Sequence, residues 1–269
     1  MFVLILLENA IYYGEKELKE IFDAVYVDEQ FAIFSVAHIN ALLSITFTMF
    51  GIFSVVYFVK DRKFRNILKS IIIIFMIFVE LSWHLWAGYV GIWHVNHSLP
   101  LHLCSLAAIL GIWMLFTNSY KIFEVLYFWS FAGSFQAIMT PDLRGYNYPH
   151  FHYFWYFTSH AAVILAVFWM LIVERVRPTW KSLRKVIILT NLYAIIVYPI
   201  NLVTGGNYLL LMQKPIVPTL ADYLDLWPGY LFWLEIVGIL VVTICYLPYA
   251  ISDSKLFKLI VSNLVHQDT

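Results

Sequence analysis

Residues 67–88 read ILKSIIIIFMIFVELSWHLWAG, and this stretch decides the class of the protein. It is mostly apolar over about 20 positions, the length that an α-helix needs to cross a hydrocarbon core of about 30 Å. Hydrophobic residues make up 62% of the whole chain and charged residues only 13%. Similar stretches elsewhere complete a set of seven predicted spans, at 33–59, 67–88, 99–117, 121–140, 153–173, 186–204 and 228–250. The sequence therefore predicts an all-α, polytopic membrane protein with seven transmembrane helices in one bundle.

The basic residues predict how this bundle is oriented. Of the 17 lysines and arginines, 13 lie in or beside the connections that follow the first, third, fifth and seventh spans. The opposite side has only Lys16, Lys19, Arg144 and Lys214. Because positive charge in short loops is retained in the cytoplasm, we expect the amino terminus outside and the carboxyl terminus inside a cell membrane.

Three regions are expected along the chain. Residues 1–30 are predicted to form an amphipathic segment on the outer face, residues 31–250 the transmembrane domain, and residues 251–269 a cytoplasmic tail. The apolar start at 1–7 has no basic region before it and no small-residue cleavage site after it, so it does not resemble a cleaved signal peptide. Nothing in the chain predicts nucleic-acid binding, and the oligomeric state is left open.

The histidines are concentrated at one end of the predicted spans. Eight of the nine lie near span ends that point to the extracellular side, namely His38, His84, His94, His97, His102, His150, His152 and His160. At about 1.5 Å of rise per residue, polar side chains of six helices fall in a common layer about 5–12 Å below the outer surface. This layer contains His38, Glu80, His84, His102, Cys104, Gln136, His160 and Asn201, and Asp142 follows at its mouth. Titratable groups are expensive in hydrocarbon, so the layer is predicted to be a functional site that faces outward.

Cys104 is the candidate nucleophile of this layer. It lies near the amino end of the third span, where the positive end of the helix dipole favours a thiolate. The alternative interpretation is a small residue that packs between helices. Cys245, in an apolar setting in the last span, is expected to be a buried small hydrophobe, and the two cysteines indicate no disulfide framework.

His160 is the best candidate for the base that activates this thiol. It is matched to Cys104 in depth, whereas His102 is two residues from Cys104 and points in another direction. The alternative for His160 is a core histidine bonded to a carbonyl or a tyrosine. Glu80 and His84 are four residues apart and can share a hydrogen bond, and Gln136 is one candidate donor to an oxyanion.

Asp142 has two possible roles. The segment Thr140-Pro141-Asp142 indicates first a turn that ends a helix. Asp142 could also orient a histidine or a polar head group at the mouth.

Several of these residues together resemble a known family. The set Ser35-x-x-His38, Leu99-Pro100-Leu101-His102-Leu103-Cys104, Thr140-Pro141-Asp142 and His160 is similar to the YwaF-type bacterial integral membrane proteins, over roughly residues 31–250. That family is related to an animal transmembrane acyltransferase that moves acyl chains onto lysophospholipids, and more remotely to membrane hydrolases of fatty-acid esters. The resemblance implies that Cys104 accepts an acyl group and that His160 is its general base.

Three functional classes follow from these observations. The first is a lipid-modifying enzyme, an acyltransferase or ester hydrolase that acts on outer-leaflet phospholipid or lysophospholipid without a metal or cofactor. The second is a zinc-dependent membrane hydrolase, in which three or more of Glu80, His84, His102, His160 and Asp142 would converge on one ion. The third is a transporter or ligand-binding bundle, with broken helices around a water-filled cavity.

Overall fold

The structure, a computed structural model, describes residues 20–25, 31–214 and 227–254 of the chain. In these ranges it is all-helical, without strands, and each of the seven predicted spans overlaps one apolar helix. The helices are α1 (Val36–Phe58), α2 (Arg62–Tyr89), α3 (Leu103–Thr117), α4 (Tyr120–Met139), α5 (Phe151–Ile172), α6 (Trp180–Thr204) and α7 (Gly229–Asp253).

Six of these helices are long and apolar enough to cross a membrane. The exception is α3, which has 15 residues. The predicted span at 99–117 included the four residues before α3, but those residues form a turn that ends at His102. Helix α4 departs from regular geometry over Ser130–Phe135, where six residues form a π-helical segment.

The helix boundaries follow from short polar residues beside the apolar runs. The side chains of Ser35, Asp61, Ser119 and Thr179 each accept a hydrogen bond from a backbone N–H of the first turn, which satisfies donors that have no partner within the helix. Helix α6 ends at Gly205, whose φ of 69° is the left-handed conformation that glycine adopts at low cost.

The basic residues collect at one end of the bundle, here called the basic end. Lys69 at the start of α2 lies 3.6 Å from Glu174 beyond α5, and Arg177 bonds to Asp253 at the end of α7. Lys185 on α6 contacts Glu124 on α4 at 2.7 Å. The basic connections after α1 and α5 and the end of α7 therefore share one side, as the charge pattern predicts, and the opposite end is called here the histidine end.

Helix α5 lies at the centre of the bundle. In its most apolar 18-residue window 61% of the residues are buried, against 11% for α1 and 17% for α6 and α7. It packs extensively against both α3 and α4, and small residues such as Ala107, Ala108 and Ala166 lie in the core between the helices. The two helices that carry Cys104 and His160 are therefore direct neighbours.

The described part of the amino-terminal region docks on the histidine end. Trp86, Tyr146 and His150 each bond to a backbone oxygen in residues 22–24, at 2.8, 2.6 and 2.9 Å. The rest of the predicted outer segment and the predicted tail beyond residue 254 lie outside the described residues. The same is true of residues 215–226 in the connection between α6 and α7.

Candidate functional site

Cys104 is the second residue of α3, and the start of this helix is unusual in the bundle. His102 occupies the cap position but makes no side-chain capping hydrogen bond, whereas five of the other helices begin with such a cap. Within the described residues, the N–H groups of residues 103–105 have no oxygen acceptor. The thiol thus lies beside several backbone donors that remain available to a ligand.

The π-helical segment of α4 faces this thiol. A Cβ atom added at Gly133 would lie 3.2 Å from Cys104 Sγ, so the glycine lets the two helices approach closely and a larger residue would press on the sulfur. The next residue, Ser134, is fully buried and lies within hydrogen-bonding reach of the thiol. Its hydroxyl nevertheless makes no hydrogen bond of good geometry in the structure. A buried hydroxyl without a partner is costly, and π-helical segments occur often at functional sites.

Two further side chains border Cys104. Glu80 on α2 and Tyr156 on α5 both lie within electrostatic range of the thiol. Glu80 is partly buried and makes no hydrogen bond or ion pair with any residue in the described ranges. The Tyr156 hydroxyl accepts from Asp142 N–H and donates to Ala137 O, both at 3.3 Å, which joins the end of α4 to α5.

His160 is buried on α5 and its tautomer is fixed by the backbone. Its Nδ1 lies 2.7 Å from Tyr156 O, and because a carbonyl only accepts, Nδ1 carries the proton. The lone pair is then on Nε2, which has no hydrogen-bond partner among the described residues. The ring also packs on that of Tyr156, with centroids 4.4 Å apart. The alternative interpretation, a core histidine bonded to a carbonyl, thus accounts for Nδ1. It does not account for Nε2, which has no such bond among the described residues.

Cys104 and His160 are not hydrogen-bonded to each other within the described structure. Tyr156 lies near both residues. It is within electrostatic range of the Cys104 thiol, and its ring packs on the His160 imidazole. The structure therefore places the two predicted catalytic residues on adjoining helices around one tyrosine, without a direct link.

The other predicted histidines have separate partners. His84 accepts a hydrogen bond from Trp93 Nε1 at 3.1 Å. The hydrogen bond that the spacing of Glu80 and His84 allows is not formed in the described residues. The His102 ring packs on Tyr208, with centroids 5.2 Å apart.

Two residues predicted to support the site are instead fully used in holding the fold. His38 is completely buried; its Nδ1 accepts from Phe34 N–H and its Nε2 donates to Ile138 O, each at 2.9 Å. Asn201 pairs both ends of its amide with the backbone of Tyr208, at 2.8 and 2.9 Å. Because the backbone already binds both ring nitrogens of His38 and both ends of the Asn201 amide, these groups are not available to a substrate.

Gln136 and Asp142 lie at the end of α4. Gln136 is exposed and its amide donates to Thr140 Oγ1 at 3.0 Å, the shared face that their spacing predicts. Asp142 Oδ1 accepts from Arg144 N–H at 3.1 Å. That bond forms a turn after the helix, in line with the first interpretation of Thr140-Pro141-Asp142.

A cluster of aromatic and histidine rings closes the histidine end. Tyr146 stacks on His150 at 4.3 Å and packs on His152 at 4.7 Å, and His152 packs on Trp155 at 5.2 Å. Burial lowers the pKa of His150, although its bond to Asp23 O opposes this. His150 is thus held neutral, with its Nδ1 accepting from His152 N–H as the cap of α5.

Four residues of this region were not predicted from the sequence: Gly133, Ser134, Arg144 and Tyr156. A signal exists for the first two, because Ala132-Gly133-Ser134 is a small-residue interruption in a helix of large aromatics. A second signal is the charge of Arg144, one of only four basic residues on its side. Tyr156 has no distinguishing feature in a stretch rich in aromatics.

The described residues contain no group of three or more His, Cys, Asp or Glu side chains placed to hold a metal ion. The convergence that the zinc alternative requires is therefore not present among Glu80, His84, His102, His160 and Asp142.

Helix lengths, hydropathy and the internal polar layer define the class: a multi-pass helical membrane protein. Residues 33–246 match the TMEM164 family, and the chain belongs to that family. The narrower resemblance to YwaF-type proteins stays a prediction. An uncharacterized protein of Treponema pallidum (strain Nichols) is 31% identical over 121 residues, which cover 45% of this chain and 50% of the relative. The chain thus spans about half the length of that relative, and no solved structure matches.

Proposed function

We propose that this protein is a membrane lipid-modifying enzyme that transfers or hydrolyses acyl groups through a thioester on Cys104. One observation carries the proposal: a thiol at the uncapped start of α3 faces a π-helical segment with an unpartnered buried hydroxyl. The active layer faces the extracellular side in this proposal, and the substrate is an outer-leaflet phospholipid or lysophospholipid.

The first argument concerns the oxyanion. Attack of a thiolate on an ester produces a negative oxygen, which preorganised N–H donors stabilise strongly in a low-dielectric site. The free N–H groups of residues 103–105 lie where such an oxygen would form. Ser134 adds a hydroxyl beside the sulfur, so several unused donors lie beside the candidate nucleophile.

The second argument concerns the base. Because Tyr156 O holds the proton on Nδ1 of His160, the free Nε2 can accept a proton from the thiol or from an acceptor hydroxyl. The absence of a direct Cys104–His160 bond is compatible with this role, since catalytic hydrogen bonds in ligand-free sites are often long and tighten when substrate binds.

The chemistry then balances in two halves. Cys104 Sγ bonds to the acyl carbon while its proton moves to His160; the ester C–O bond breaks, and His160 returns the proton to the leaving oxygen. In the second half a lipid hydroxyl or water gives its proton to His160 and attacks the thioester. The C–S bond breaks and the sulfur regains a proton. The acceptor decides whether the enzyme is a transferase or a hydrolase.

The test uses the two cysteines of the chain as target and control. Purified protein in liposomes is treated with an electrophilic acyl-lipid probe, and intact mass is measured together with acyl exchange between lipids. Cys104→Ala should lose labelling and exchange, whereas Cys245→Ala should keep both, since Cys245 is joined to Tyr127 through its backbone carbonyl.

His160→Ala separates the base from the nucleophile. It should lower the exchange rate about 10²- to 10⁴-fold with the thiol still present, the usual contribution of a general base. Exchange at the parent rate by Cys104→Ala protein would refute the thioester mechanism. Substrate uptake without acyl chemistry would favour the transporter alternative.

A further inference from the structure

Arg144 has no role in the mechanism above, yet it lies at the centre of the histidine end. Its guanidinium is within electrostatic range of His102 before α3, of His152 and Tyr156 on α5, and of Tyr208 after α6. The side chain is exposed, and it forms no ion pair with any carboxylate in the described ranges. Side chains from three separate parts of the fold thus lie within range of one unpaired positive charge.

The backbone holds Arg144 in this position. Its φ of 51° is in the left-handed region, which is uncommon for a residue with a side chain. The turn is kept by Asp142, whose Oδ1 accepts from Arg144 N–H at 3.1 Å. The nearest acid in sequence is therefore bonded to the backbone of Arg144 and does not neutralise its guanidinium.

The rings packed next to His152, one of the residues within range of Arg144, carry unused hydrogen-bonding groups. The indole N–H groups of Trp83 and Trp155 are buried and have no acceptor, and the buried His152 has an unpartnered Nδ1. Trp155 packs on both rings, with centroid distances of 5.3 Å to Trp83 and 5.2 Å to His152. These two indole N–H groups have no acceptor among the described residues. The cluster therefore favours a ligand group that is negative and rich in hydrogen-bond acceptors.

Tyr156 connects this charge to the candidate nucleophile. Its hydroxyl accepts from the N–H of Asp142, in the turn that holds Arg144, at 3.3 Å, and it lies within electrostatic range of the Cys104 thiol. In a glycerophospholipid the phosphate and the acyl ester are separated by the glycerol unit alone. A phosphate at Arg144 would leave the ester to extend inward along Tyr156 toward Cys104.

We infer that Arg144 binds the phosphate of the lipid substrate and thereby selects phospholipids over uncharged acylglycerols. The guanidinium matches phosphate geometry with paired donors. This inference deepens the proposed function and rests on it only in taking the bound lipid to be the substrate. Arg144 acts as a specificity residue that positions the ester and takes no part in bond making.

The test measures binding in the absence of turnover. Cys104→Ala protein in maltoside detergent, which carries no phosphate, is titrated with a lysophosphatidate and with the monoacylglycerol of the same chain. Native mass spectrometry and thermal shift give the two affinities. We expect the phosphate lipid to bind at least about tenfold more tightly, which corresponds to about 1.4 kcal/mol. Arg144→Gln should abolish the difference, and Arg144→Lys should keep part of it.

Arg175 supplies the matched control. It is also exposed and left-handed, with a φ of 56°, but lies at the basic end of α5. Arg175→Gln should keep the full preference. If Arg144→Gln does not fold, the parent preference should still fall steeply with added salt, because an exposed charge is screened.

Two outcomes would overturn the inference. One is an Arg144→Gln protein that still prefers the phosphate lipid. The other is glycerol 3-phosphate binding as tightly as the lipid, which would assign the site to soluble phosphates. Because Cys104 is absent throughout, a failure of acyl exchange in the parent protein leaves this measurement unaffected.

Discussion

Gly133→Ala tests how tightly α4 holds the Cys104 thiol. The added Cβ would lie 3.2 Å from Cys104 Sγ, whereas optimal contacts between uncharged heavy atoms are about 3.5–4.0 Å. The sulfur or the π-helical segment must therefore move by roughly 0.3–0.8 Å. The change is small for the fold but large for a reacting atom.

The expected effects on rate and stability differ in size. A misplacement of about 1 Å can cost about 10²-fold in rate, so about half of that shift should slow acylation about tenfold, or about 1.4 kcal/mol in the barrier. For stability, crowding costs about 1–3 kcal/mol, and the better helix propensity of alanine returns up to about 1 kcal/mol. The melting temperature should thus fall only slightly while the rate drops clearly.

The assay is the second-order rate of Cys104 labelling by the acyl-lipid probe, with melting temperature measured on the same samples. Gly238→Ala is the matched control, because that glycine is also helical and has no atom within 4 Å of an added Cβ. Parent-like labelling by Gly133→Ala protein, at unchanged stability, would refute the view that α4 positions the thiol.

Two further predictions concern the supports of the site. Asn201→Ala should destabilise the protein by about 2–4 kcal/mol, since it leaves two buried backbone groups of Tyr208 unpaired; thermal melting checks this against Asn191→Ala, an exposed position on the same helix. His150 stays neutral in the fold because burial lowers its pKa, while the unfolded chain protonates near the ordinary value of 6.5. Stability should therefore decline as pH drops below that value, and His150→Gln should flatten this decline in melting curves between about pH 7.5 and about pH 5.5.

Hydrophobic patterning was sufficient to predict the helices and the shared side of the basic loops. A helix that crosses the bilayer must be apolar over a fixed length. Each predicted span therefore overlaps one observed helix. The π-helical segment of α4 was not predictable in this way, because one extra residue in a turn leaves composition unchanged. Within this segment, Gly133 lets α4 lie close to the Cys104 sulfur.

Depth in the membrane was a weaker guide to the site. Cys104, His160 and Glu80 do lie near Tyr156 or one another, but His38 and Asn201 share their depth and serve the backbone instead. A polar side chain in hydrocarbon must be satisfied by some partner, and the sequence does not say whether that partner is a ligand or a carbonyl. Only the contacts distinguish the two cases.

The short α3 has a consequence for the surrounding bilayer. Its 15 residues reach about 22 Å at ~1.5 Å per residue, against a hydrocarbon thickness of about 30 Å. Ile109, Trp113 and Phe116 are exposed on α3, so a bilayer around α3 would meet a hydrophobic surface shorter than its own hydrocarbon core and would thin there. Such thinning would bring the ester groups of the adjacent leaflet closer to the depth of Cys104, without any motion of the protein. Thick, sterol-rich bilayers should resist this deformation and slow the proposed acyl transfer, so bilayer thickness itself would regulate that reaction.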